Sequence, residues 1–446
     1  MQVAEKTYLN YIDLLRLDNW SVRGLLDATF NYSNQFPLSR IGDFLIKNKN
    51  VINIDDNIIY KRVTVRINNN GVFLRDTEKG VNIGTKKQYL AKSGQFIVSK
   101  IDARNGAFGI IPEELDGSIV TNDFPLYDVD TAKINPRFLL LITTTKEFIN
   151  FARSCSSGTT NRQRMDIDMF LDQRIPLPSI EEQETIVKNY FSKIEEAENL
   201  NKLAGDLESE IEKYFLEQLG IEKAETKNRK KGLHIINFSE LEKWGLDFVG
   251  TSFNGNKEYK SYSVRQLCKI SSGGTPSRSR KEYYNGNIPW IKTGELNNNV
   301  LTDTEEKITE EGLKNSSAKL YSKGSIVIAM YGATIGKTAK LGIDATTNQA
   351  CAVLFDIDNT LIITDYLWEY LQSQTENLKK LAYGSAQPNL NAGIISNYPI
   401  PLPNINKQQE IVNAIQVKKE SIKNIEVKAE QLKFQAKQEF EQTIFR

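Results

Sequence analysis

The side chains best suited to bond a ligand gather in loops, not around a nucleophile. The stretch 272–292 sets Arg278, Arg280 and Lys281 beside Tyr283, Tyr284 and Trp290, behind the glycines Gly273 and Gly274 and ahead of Lys292. Guanidinium and ammonium groups neutralise phosphates, and an arginine can fork onto a guanine edge. The aromatic rings add flat amphipathic surface, and glycines let a backbone come close to a partner. Basic and aromatic residues together on a loop are the composition of a nucleic-acid contact. The alternative is a solvated turn, and Trp290 taken singly reads as a core residue.

Three further segments offer polar or basic tips. Gly332-Ala333-Thr334-Ile335-Gly336-Lys337-Thr338 resembles a phosphate loop but has one residue too few between its glycines, with Tyr331 where the first should stand. It supports no ATP site, yet Lys337 and the loop amides could hold a DNA phosphate. Its counterpart in the first half of the chain, residues 103–109, carries Arg104 and Asn105. Unlike side chains in equivalent loops suit readers of different sequences. Residues 383–391 present Gln387 and Asn389, amides that can read adenine, while Asn391 reads equally as a helix cap. The matching basic segment holds Asn161, Arg162 and Arg164. Asn348 and the adjacent Lys86 and Lys87 complete the candidate DNA contacts.

Catalytic groups are scarce. The 446 residues include one histidine, His234, and three distant cysteines, Cys155, Cys268 and Cys351. A Ser–His–Asp or Cys–His mechanism needs a histidine beside its nucleophile, and the cysteines fit no metal spacing. No Asn/Asp-Pro-Pro-aromatic block is present for adenine methylation. Asp166 and Asp168 lack the lysine of a nuclease centre. The reading is a non-catalytic binder with no catalytic or metal-ligand residues and no cofactor of its own. With 57 basic against 56 acidic residues the net charge is +1, so any DNA-facing surface must be balanced by acid elsewhere. No apolar stretch approaches a membrane span, and Met1–Lys6 opens without an apolar region, so a cytoplasmic protein with no secretory leader is expected.

The elements that must position these loops are written twice. Ile175-Pro176-Leu177-Pro178-Ser179-Ile180-Glu181-Glu182-Gln183 returns as Ile400-Pro401-Leu402-Pro403-Asn404-Ile405-Asn406-Lys407-Gln408, roughly 225 residues later. Leu17–Trp20 with Leu241–Trp244, Val120–Asn122 with Thr346–Asn348, and Lys92–Gly94 with Ser322–Gly324 follow in the same order. Each Ile-Pro-Leu-Pro block opens a long helix, the first through a Ser179/Glu182 capping box. Apolar residues recur at Val187, Tyr190, Ile194, Ala197, Leu200, Leu203, Leu207, Ile211 and Tyr214. They recur again at Val412, Ile415, Ile422, Ile425, Ala429, Leu432, Ala436 and Phe440. Roughly 38 residues make a rod of about 57 Å. One apolar stripe is unstable in water, so the rods are expected to pair; the alternative is that each packs on its own domain.

The expected fold is α+β. Each half carries strands (95–99 and 124–129; 325–330 and 350–355) and then a helix (136–152; 364–378). Boundaries fall at 1–178 and 234–403 for the two domains, 179–220 and 404–446 for the rods, and 221–233 for a charged linker.

In this order, the domain–Ile-Pro-Leu-Pro-x-Ile-x-x-Gln–helix unit, used twice, resembles the specificity subunit of type I restriction–modification systems. Gly273-Gly274-Thr275-Pro276, Ile288-Pro289-Trp290, Tyr331–Lys337 and Gln387–Asn391 add to the resemblance in the second copy; the first copy lacks the Gly-Gly-Thr-Pro and Ile-Pro-Trp blocks. The resemblance implies two target recognition domains reading a bipartite, asymmetric double-stranded DNA site. It implies rods paired as an antiparallel coiled coil with pseudo-two-fold symmetry. It also implies two methyltransferase subunits bringing S-adenosylmethionine, and restriction/translocase subunits using ATP and Mg, with partners separate or fused. A coiled-coil scaffold for partner proteins that never meets DNA stays open, as does, more remotely, an ATP-using enzyme built on residues 332–338.

Overall fold

The computed structural model describes residues 30–157, 163–221, 259–382 and 389–445. The Leu17–Trp20 and Leu241–Trp244 match, His234 and residues 222–233 of the charged linker lie outside these residues. Both halves are built on the same sheet. In the first, the strands run in the order Leu45–Lys47, Leu126–Val129, Phe96–Val98, Phe108–Ile110. In the second, the order is Lys269–Ser272, Cys351–Phe355, Ile326–Ala329, Thr338–Leu341, with Asn299–Leu301 added in parallel at the edge. The central strands Phe96–Val98 and Ile326–Ala329 are buried at every residue, which is why they read as unbroken apolar runs. Gly94 and Gly324 precede them with φ of +81° and +91°, a turn geometry that favours glycine.

A second sheet distinguishes the halves. The first half carries five strands (Val51–Asn53, Lys87–Leu90, Ile119–Val120, Ile59–Val65, Val72–Lys79), the second three (Glu306–Ile308, Tyr284–Ile291, Thr346–Thr347). Of the blocks missing from the first copy, Ile288-Pro289-Trp290 lies in the strand Tyr284–Ile291 of this layer.

The chain divides into two compact units, 1–200 with 428–446, and 201–427. Each is α+β, and each takes part of both rods, Ile180–Gln218 and Ile405–Ile444. In the first unit Val187 and Phe440 join a core of Phe96, Phe108, Phe138, Phe148 and Phe170. Lys193 bonds Glu439 at 2.8 Å and Lys428 bonds Glu196 at 3.1 Å, so the rods run antiparallel. In the second unit Phe215, Ile411 and Ile415 join Ile326, Leu354, Tyr366 and Leu371, and Lys418 bonds Glu210 at 3.1 Å in the same sense. The rods therefore pair and also pack on the domains. Such exposed ion pairs contribute at most about 1 kcal/mol each; burial of the stripe carries the association.

Two local expectations are corrected. The helices expected over 136–152 and 364–378 each break in two, at Pro136–Thr143/Lys146–Ser154 and Thr364–Ser373/Thr375–Lys380. In the first case Thr145 Oγ1 accepts from Phe148 N and restarts the helix as a cap. Along the first rod Leu203 faces solvent and Ala204 is buried instead. At about 100° per residue, Leu203 points roughly 120° away from buried Ala197, whereas Ala204 falls back into line.

The entries to the two rods share one device. Gln183, fully buried, donates through Nε2 to the carbonyls of Lys133 (3.1 Å) and Pro178 (2.8 Å) and accepts from Asn135 N (2.8 Å). Gln408, also fully buried, donates to Leu361 (3.0 Å) and Pro403 (2.8 Å) and accepts from Ile363 N (2.8 Å). Each amide ties the start of a rod to the loop that leads into its domain's helix, and satisfies backbone groups that water cannot reach. Gln183→Leu and Gln408→Leu should each destabilise the fold by about 1–3 kcal/mol. Exposed Gln409→Leu should stay within about 0.5 kcal/mol. Chemical denaturation of the three variants checks this, and equal effects at Gln408 and Gln409 would remove the entry role.

Candidate nucleic-acid interface

In the second domain the 272–292 segment is organised by its own side chains. Trp290 is buried and donates through Nε1 to Gly274 O at 2.9 Å. A Cβ on Gly274 would lie 2.2 Å from Ala318 N, and one on Gly273 2.1 Å from Thr347 Oγ1. The glycine pair thus admits the protein's own backbone. The Tyr284 hydroxyl donates to Pro276 O, and its ring meets Trp290 edge-on. The Arg278 guanidinium lies over both rings, at 4.4 and 4.9 Å, and bonds Glu306 at 2.7 Å. Glu306 also pairs with Lys292, which reaches Glu305 at 2.8 Å as well. Hydrogen bonding from Arg278 holds the Glu306 carboxyl below the usual carboxylate range.

Arg278 and Lys292 are therefore neutralised internally and brace the loop. Arg280, in a long 3.4 Å contact with Glu282, and Lys281, with no ion pair among the described residues, are exposed at its tip. Tyr283 is partly covered, with its backbone against Gly312.

The 332–338 loop turns on Gly332 and Gly336, at φ of +79° and +78°. Lys337 donates to Asn297 Oδ1 at 2.6 Å. Asn348 shapes a turn, accepting from Ala350 N at 3.1 Å. Asn391 caps the helix Ala392–Ser396 through Ile394 N, which decides its role in favour of the cap. The buried Oδ1 of Asn389 has no hydrogen-bond partner. Gln387 lies outside the described residues.

In the first domain Arg104 donates to Gln163 Oε1 at 2.7 Å, and the Asn105 carbonyl accepts from Asn68 N. Arg164 makes a two-pronged bond to Asp123 at 3.0 and 3.1 Å. Lys86 is held by Asp56 at 2.6 Å and by Gly80 O at 2.8 Å. Lys87 is exposed at the head of its strand with no ion pair among the described residues. Asn161 and Arg162 lie outside the described residues. Sequence reasoning did not single out Lys47 and Lys100, which lie far apart along the chain and make no ion pair among the described residues.

The described cysteines and the Asp166–Asp168 pair have structural surroundings. Burial pushes the Cys155 thiol up to about 11 and that of Cys268 to about 12, and raises Cys351 further, so none is a ready thiolate. Asp166 accepts from Asp168 N and Met169 N as a helix cap. Among the described residues no group of three or more His, Cys, Asp or Glu could hold a metal ion. No described helix is long and apolar enough to cross a membrane.

The chain is similar to curated specificity subunits. It is 29% identical over 188 residues to the Type I restriction enzyme MjaIX specificity subunit of Methanocaldococcus jannaschii, covering 41% of this chain and 43% of that one. It is 30% identical over 167 residues to the EcoR124I/EcoR124II specificity subunit of Escherichia coli, covering 36% and 40%. These two matches span less than half the length of either relative. The HindI specificity subunit of Haemophilus influenzae matches at 23% over 450 residues, 91% of this chain and 94% of that one. A solved structure reported as the structural basis underlying complex assembly and conformational transition of the type I R-M system shares the fold, with a TM-score of 0.60 at 18% identity over 94% of this chain and 99% of that one. The family described as Type I restriction modification DNA specificity domain matches twice, at residues 35–213 and 256–433. Each match spans one copy of the repeat and its rod entry, and the chain belongs to the family of type I restriction–modification specificity subunits.

Proposed function

We propose that each globular half reads one part of a split, asymmetric duplex DNA site, and that the chain itself catalyses nothing. Its partners would do the chemistry: two methyltransferase subunits carrying S-adenosylmethionine to adenine, and restriction/translocase subunits using ATP and Mg, in the cytoplasm. The observation that carries this reading is a shared framework with unlike tips. The order of the four core strands repeats, and the Gln183 and Gln408 entries repeat bond for bond, while the loops they hold differ in side chain. A repeated frame suits two half-sites, and non-identical readers make the site asymmetric. Two equivalent rod entries likewise suit two copies of one docking subunit.

The near-neutral net charge favours one rival, a protein scaffold that does not meet DNA. Mapping methylated adenine in cells carrying this gene and its neighbouring methyltransferase gene separates the two. A split motif that disappears on deleting this gene alone is expected; an unchanged methylome, with the methyltransferase expressed, would favour the scaffold.

The rods lead to a second expectation. Four residues added to each rod at matching positions lengthen it by about 6 Å, one or two base-pair steps of about 3.4 Å. The gap in the methylated motif should widen accordingly, and a constant gap would rule out the rods as spacer.

The tip of the 272–292 loop gives a third. Arg280→Ala with Lys281→Ala should weaken DNA binding across sequences and leave the melting temperature unchanged. Arg278→Ala should lower the melting temperature, because Glu306 and the Tyr284–Trp290 face lose their partner. Fluorescence anisotropy and thermal melting distinguish the two, and the reverse pattern would exchange their roles.

A further inference from the structure

Three strands of each second sheet correspond. In the first domain Ile59–Val65 pairs in parallel with Ile119–Val120 at Arg62↔Ile119, and antiparallel with Val72–Lys79 on its other side. In the second, Tyr284–Ile291 pairs in parallel with Thr346–Thr347 at Trp290↔Thr346, and antiparallel with Glu306–Ile308. The outer strand sets a carboxylate opposite the residue of the parallel pairing in both cases, Asp76 opposite Arg62 and Glu306 opposite Trp290.

Each carboxylate clamps an arginine. Asp76 holds Arg62 through both its oxygens, at 2.6 and 2.8 Å, and Glu306 holds Arg278 at 2.7 Å. In the second domain the clamped arginine is also the stacked one, over Tyr284 and Trp290. In the first domain these roles fall to different residues. Arg62 is clamped, while Arg66 lies over the Phe73 ring at 4.0 Å. Arg66 makes no ion pair and no side-chain hydrogen bond among the described residues, and both it and Phe73 are exposed.

The platform under Arg66 is fixed. Phe73 pairs across the strands with Thr64, and Arg66, two residues on, belongs to the same face. Arg66 N donates to Gly71 O at 2.9 Å, Asn68 N to Asn105 O at 2.7 Å and Asn69 N to Gly106 O at 3.0 Å. Asn69 Nδ2 donates to Thr144 O at 3.3 Å. Asn68 and Asn69 take φ of +59° and +58°, a region that asparagine enters more readily than most residues. Arg153 donates through Nε to Arg104 O at 2.9 Å and makes no ion pair among the described residues. Three successive carbonyls, those of residues 104–106, thus hold the hairpin tip and a second arginine to one turn.

A guanidinium can neutralise a phosphate in many orientations, but to fork onto a base edge it must lie in the plane of that base. Stacking on Phe73 sets the plane of Arg66, and the anchored tip sets the position of the hairpin. We infer that Arg66, carried on Phe73, reads a guanine edge in the first domain's half of the DNA site. The inference rests on the DNA-reading function proposed above and names a residue that sets the sequence read.

The test starts from the wild-type motif, mapped by methylated adenine. Fluorescence anisotropy of the full chain then compares the motif duplex with duplexes in which one base pair of either half is changed at a time. For the wild type, replacing one particular G·C pair should cost roughly tenfold in affinity. In Arg66→Lys that cost should fall below about twofold, while every other change keeps its wild-type cost. Arg66→Gln should lose the same discrimination, and Phe73→Leu should lose part of it at the same pair. Arg153→Ala should keep every discrimination. Arg66 is exposed and bonded to no carboxylate, so its variants should melt at the wild-type temperature. Discrimination unchanged in both Arg66 variants would overturn the reader and leave DNA reading intact. Weaker binding to all duplexes alike, with each discrimination kept, would also overturn it and make Arg66 a backbone contact. A wild-type chain that specifies no motif and binds all duplexes equally would overturn the DNA-reading function, and the inference with it.

Discussion

A helix with a single apolar stripe cannot stand alone in water, and the rest of this molecule is arranged around that constraint. Two rods of 39 and 40 residues each present one stripe. Each unit of the protein contains part of both, antiparallel, with small residues such as Ala197, Ala204, Ala429 and Ala436 buried along them. The ion pairs beside the stripe select direction and register more than they add strength. Because a rod leaves each domain through a buried glutamine, its direction is fixed relative to that domain's core. Gln183 and Gln408 make the same bonds with the same chemistry, so duplication has preserved the joint as strictly as the sheet.

Against that fixed frame, cations divide into those that brace and those left available. Arg278, Lys292, Lys86 and Arg164 are bound to carboxylates, and their substitution would be felt first in stability. Arg280, Lys281 and Lys87 are less committed. On the proposed reading this second group meets the DNA backbone. The near-zero net charge then reflects acid placed elsewhere, including the many glutamates of the first rod.

Much of the frame was legible in the sequence because it depends on local patterns. The Ile-Pro-Leu-Pro blocks, the Ser179/Glu182 box and the apolar strands each announce themselves within a few residues, and the structure places them accordingly. The phase of a long stripe was less legible: Leu203 looked like a seam residue until the rotation from Ala197 was followed. The helix break at Thr145 was hidden because its capping bond depends on side-chain geometry. The site was least legible. Whether Arg278 is free depends on Glu306, which reaches it only through strand pairing.

The central claim is that each domain reads its own half of the DNA site on a common frame. The most direct measurement is the methylated motif specified when the second domain, up to its rod entry, is replaced by the corresponding domain of another family member. The account predicts that one half of the split motif is exchanged while the other half and the gap are retained. A motif changed in both halves, or unchanged, in a chimera that folds and supports methylation would contradict it.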